Sequence, residues 1–95
     1  ISDEEIHILE ENATNGDKNS AFKLYQYHMF VSLDQDLEFK WLEIAAENGH
    51  PIAQSNLADL FFTQGNKEKA IFWAKKAYRN GAKLPDELKI LININ

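Results

Sequence analysis

At 95 residues, the chain is long enough for one continuous apolar core and too short for two. Its 44% apolar and 26% charged residues belong to a folded domain rather than a disordered one. The absence of cysteine excludes a disulfide framework and a thiolate metal site, and a net charge of −5 argues against general binding to nucleic acid or an anionic membrane.

Ser2-Asp3-Glu4-Glu5 has the spacing of a capping box, with hydroxyl and carboxylate placed to satisfy the free amides of a first helical turn. A first helix is expected to run to about Thr14, to bury Ile6, Leu9 and Ala13, and to stop at Asn15-Gly16. A second helix over roughly 18 to 31 puts Ala21, Leu24, Tyr25, His28 and Met29 on one stripe and Lys23, Tyr27 and Phe30 on another. Asp34 to Asp36 cap a third, on which Glu38, Trp41, Leu42 and Ala45 recur at helical spacing up to Asn48-Gly49.

Pro51 suits the first turn of a fourth helix, whose inward stripe is Ala53, Leu57, Leu60 and Phe61. Gly65 ends it, and Asn66 caps a fifth helix carrying Ala70, Trp73, Ala74 and Ala77 as far as Asn80-Gly81. Pro85, Asp86 and Glu87 open a short sixth helix that draws on Leu88, Leu91 and Ile92 for burial. The reading is an all-α chain with short connections, forming a single domain over residues 1–95.

A shift of 32 positions pairs Ala21 with Ala53, Phe30 with Phe62, Trp41 with Trp73, Ala45 with Ala77, Asn48 with Asn80 and Gly49 with Gly81. Self-similarity at this period is the signature of stacked helical hairpins. The joint AAENGHPIAQSNLADLFF resembles that of Sel1-like repeats in its Ala-Ala pair, Gly-His turn, Ala-Gln pair and following Asn-Leu, with Trp41 in keeping upstream. Ala58 and Gln26 stand where that family commonly has glycine, and Val31-Ser32-Leu33 and Thr63-Gln64-Gly65 replace its glycine-rich loop. The stretch QGNKEKAIFWAKKAYRNG reads almost as well as a tetratricopeptide repeat, a family of the same architecture.

The resemblance implies a right-handed α-solenoid made of a half-repeat, two full hairpins and a short C-terminal capping helix. It also implies that the first helix of each hairpin lines a concave groove, presenting Lys23, Tyr27, Phe30, Ser55, Asp59 and Phe62 to a protein partner. Trp41 and Trp73 are expected to wedge between hairpins.

Catalysis finds no support in the pattern. His7, His28 and His50 lie on different elements without metal-ligand spacing, neighbouring carboxylates diverge on their helix, and no serine sits in a nucleophile elbow. The expected function is therefore a non-catalytic protein-binding module without a cofactor. Two alternatives accompany it: a bacterial immunity or inhibitor protein that neutralises a cognate toxin or effector, and a structural adaptor that self-associates weakly through its acidic N-terminal end and basic fifth helix. No apolar run nears the roughly 18 residues of a membrane span. Because the chain begins at Ile1, removal of an upstream segment is expected, and with it a cytoplasmic or, if a signal peptide was lost, periplasmic location.

Overall fold

The computed structural model describes residues 1–94, and four of the six α-helices in it begin at a side-chain cap. Helix α1 spans Asp3–Thr14. The Glu5 backbone N–H donates to Ser2 Oγ at 3.2 Å, and the Ser2 backbone N–H donates to Glu5 Oε1 at 3.2 Å, closing the capping box. Helix α2, Lys18–Tyr27, starts under Asp17, whose carboxylate accepts from the amides of Asn19 and Ser20. A π-helical turn, His28–Ser32, follows it directly. Helix α3 covers Gln35–Glu47 with Asp34 capping the Leu37 amide at 3.1 Å. Helix α4 is Pro51–Thr63, α5 is Lys67–Arg79 with Asn66 capping Lys69, and α6 is Asp86–Leu91.

Four helix ends follow one chemistry. After α3, Gly49 takes φ 95°, its N–H donates to Ala46 and the His50 N–H donates to Ala45, the paired bonds of a Schellman motif. Equivalent pairs close α1, α4 and α5. The second helix is shorter than its sequence pattern suggests. The regular spacing continues to residue 31, but the chain widens into the π turn after Tyr27. An apolar 3.6-residue pattern does not register one extra residue in a turn.

The helices are distributed between two compact units, Ile1–His50 and the segment from Pro51 onward, so the boundary falls inside the 45–62 joint. In the first unit, the His50 ring, just past the end of α3, stacks on Phe22 near the start of α2 at 4.1 Å and 11°. The two helices therefore run antiparallel. Their contact is built on Ala21, Leu24, Tyr25, Trp41, Leu42 and Ala45, all buried, and α1 packs against α2 through buried Ala13. Gln26 is exposed on α2, so a side chain larger than glycine there does not separate the helices.

In the second unit, Asn80 Nδ2 donates to the buried Gln54 Oε1 at 2.9 Å, which joins the end of α5 to the start of α4 and makes this pair antiparallel too. Ala58, Ala74 and Ala77 form a core with Leu84 and Leu88, on which Phe62, Trp73, Leu91 and Ile92 pack from the edge. Among the described residues no helix is long and apolar enough to cross a membrane.

Burial in the turn, reinforced by the charge of Lys18, holds the His50 imidazole below its ordinary value of 6.5, although a backbone hydrogen bond works in the other direction. The unfolded chain then takes up protons before the folded one as pH falls below 6.5, so this contribution is intact above that value and declines below it. His50→Phe keeps a ring against Phe22 but removes the proton site. Urea denaturation at about pH 7.5 and about pH 5.5 is expected to give a smaller loss of stability for His50→Phe than for the parent, and equal losses would refute this role.

Candidate functional site

The corner between α2 and α3 departs from the pattern of every other helix end. Four ends use glycine at the left-handed position and α6 uses Asn93, a residue that tolerates it, whereas here Leu33 adopts φ 58° and ψ 28°. For a residue with a branched side chain the left-handed region costs roughly 1–2 kcal/mol. Turns widened to π geometry occur frequently where function requires a reshaped helix, and unusual backbone conformations gather at such places.

The wide turn redirects side chains. Inward, His28 is buried, and its Nδ1 lies 2.7 Å from Ser32 Oγ, which also accepts the Asp34 N–H at 3.4 Å. These bonds tie the π turn to the cap of α3. His28 Nε2 is buried without a protein hydrogen-bond partner, a second local cost. Outward, Phe30 is 71% exposed, Val31 64% and Leu33 71%. Three large apolar side chains within four residues thus face water on a corner held from beneath. Tyr27, half-buried, meets the His28 ring edge-on at 5.1 Å, and Lys23 is exposed one turn earlier.

Of the groove residues expected from the sequence, Lys23, Tyr27 and Phe30 share the outer side of α2 and its π turn. Ser55, Asp59 and Phe62 lie on α4 in the other unit and differ among themselves. Asp59 is exposed. Ser55 is only 7% exposed, and Phe62 is half-buried against the core containing Leu84 and Leu88, so these two have little side chain left to offer a partner. Val31 and Leu33 were not among the expected contacts. The signal for them lay in an apolar connection lacking glycine, in a chain that ends its other long helices with that residue.

Trp41 is buried with Lys40 Nζ 4.7 Å from its ring, while Trp73 is half-buried beside Phe72. His7, His28 and His50 stand apart on α1, the π turn and the α3–α4 turn. Among the described residues no group of three or more His, Asp or Glu side chains could hold a metal ion.

These features define the chain as an all-helical protein of antiparallel hairpins with one strained apolar corner. It is similar to the uncharacterized protein YibG of Escherichia coli (strain K12), with 32% identity over 88 residues. That match covers 85% of this chain and 58% of YibG, so the chain spans somewhat more than half the length of its relative. No family model matches the chain, and no solved structure matches it.

Leu33→Gly tests the strain directly. Glycine relieves the left-handed cost and gives back part of the gain through its larger unfolded-state entropy, so the variant is expected to be more stable by about 0.5–1 kcal/mol. A urea midpoint at or below that of the parent would show that Leu33 is not strained.

Proposed function

We propose that this chain is a Sel1-like helical-repeat module that binds a protein partner without catalysing a reaction on it. The single observation that carries the proposal is the exposure of Phe30, Val31 and Leu33 on a conformationally costly corner. A Leu held at positive φ with its side chain in water contributes little to folding, so its position is better accounted for by an intermolecular contact. In this reading the repeats form a right-handed solenoid, and Lys23, Tyr27 and Phe30 provide the accessible wall of its groove.

The chemistry of the corner suits such a contact. Phe30 is a rigid aromatic anchor, Val31 and Leu33 extend the apolar area, and Lys23 and Asp34 offer a charged rim. The Ser32 hydrogen bonds to His28 and Asp34 pre-organise the turn, which lowers the ordering entropy lost on docking. The 32-residue spacing of Trp41 with Trp73 and of Phe30 with Phe62 supports the repeat assignment. The partner-contact roles within the equivalent pair are unequal, because Phe62 is engaged by its own unit.

A partner captured from the native source and identified by mass spectrometry provides the ligand for the test. Phe30→Ala is expected to weaken its binding by about 2 kcal/mol or more, roughly 30-fold, with the far-ultraviolet circular dichroism unchanged. Unchanged affinity in a folded Phe30→Ala protein would remove the corner from the binding site.

A further inference from the structure

We propose that the chain also associates with itself head to tail, the outer face of α5 in one copy docking into the groove between α1 and α2 of the next. This contact shares only Lys23 with the surface proposed above and does not depend on Phe30, Val31 or Leu33.

On α5, Phe72, Lys75, Lys76 and Arg79 follow one another at i, i+3, i+4 and i+7 and so share a stripe. Phe72 is 51% exposed, and Lys76 Nζ sits 5.0 Å from the centre of its ring. From Lys69 to Pro85 the sequence contains no acidic residue. None of Lys75, Lys76 and Arg79 has an ion-pair partner among the described residues, although the chain carries 15 acidic side chains against 10 basic ones. The cation–π contact accounts for Lys76, but it leaves Lys75 and Arg79 without a counter-charge among the described residues.

The complement stands on α1. A concavity of about 400 Å³ is lined by Ile1, Ile8 and Leu9, with Glu5 and Lys23 at its polar edge. Ile8 is half exposed, and Glu4 and Glu11, one turn to either side of it, are exposed and have no cationic partner among the described residues. Glu10, by contrast, is 3.7 Å from His7. Two like charges stand at this edge, the Ile1 ammonium, which is attracted to Glu5, and Lys23, which is attracted to Asp17.

An aromatic ring bordered by cations therefore matches an aliphatic hollow bordered by carboxylates. Each surface repels its own kind, so α5 cannot pair with α5 nor α1 with α1, and a second copy of this chain supplies the missing half of both. The Phe72 ring provides the apolar contact. The exposed charges set orientation and encounter rate and are weakened by salt.

Sedimentation velocity over a range of protein concentrations tests this at about 0.01 M and about 0.5 M salt, where the Debye length falls from ~30 Å to less than ~8 Å. The parent chain is expected to grow in size with concentration at low salt and to revert to a monomer at high salt. Lys75→Glu/Lys76→Glu/Arg79→Glu, and separately Glu4→Lys/Glu11→Lys, should each weaken association at least tenfold, while a chain carrying both sets regains it. Phe72→Ala should weaken it without changing net charge, and Phe30→Ala should leave it intact. A monomeric parent at low salt, or folded single-set variants that associate as before, or a combined variant that stays monomeric, would overturn the proposal.

Discussion

The whole structure depends on how closely its helices approach one another. Nine alanines, among them Ala21, Ala45, Ala53, Ala70, Ala74 and Ala77, are 1% exposed or less; eight lie on the paired helices α2 and α3 or α4 and α5, and Ala13 lies on α1. A methyl side chain lets two helix axes come toward the lower end of the usual 8–10 Å range, which brings the aliphatic and aromatic neighbours into contact from both sides. A bulkier residue at these positions would overpack each pair by one or more methylenes, a change that close-packed interiors resist. Small residues thus fix the separation within each hairpin, and Leu24, Leu57 and Leu88 fill the remaining interior.

Rigid hairpins have a functional consequence at their ends. Where a Schellman turn on glycine closes a helix, the chain makes its exit at little conformational cost and exposes little apolar surface. The α2–α3 connection gives up that economy. It widens the last turn, places Leu33 in the left-handed region and directs Phe30, Val31 and Leu33 to water, while the buried His28 and the Ser32 hydroxyl brace it from inside. Stability lost at a defined place on an otherwise regular scaffold is the pattern expected where selection acts on contact with another molecule.

Much of this was legible from the residues. Ser2, Asp34 and Asn66 announced helix starts, Gly16, Gly49, Gly65 and Gly81 announced ends, and Pro51 and Pro85 marked the openings of α4 and α6. Caps and glycine turns act within a few residues, so local sequence suffices to place them. The π turn escaped detection because a run such as Tyr27-His28-Met29-Phe30-Val31 is apolar enough to continue a helix in any register. The fates of Ser55 and Phe62 were hidden for a different reason. They depend on tertiary packing, for Phe62 on a core that includes Leu84 and Leu88, residues more than twenty positions away. The stacking of His50 on Phe22 is likewise a contact across 28 positions that no motif encodes.

The binding role of the α2–α3 corner is tested most directly by contact mapping in cells of the native source. A photo-crosslinking amino acid is placed at position 30 in one variant and at position 64, exposed just beyond α4, in another. A discrete protein adduct from position 30, absent from position 64, is the predicted result. No adduct from position 30, or the same adducts from both positions, would contradict a binding surface at this corner.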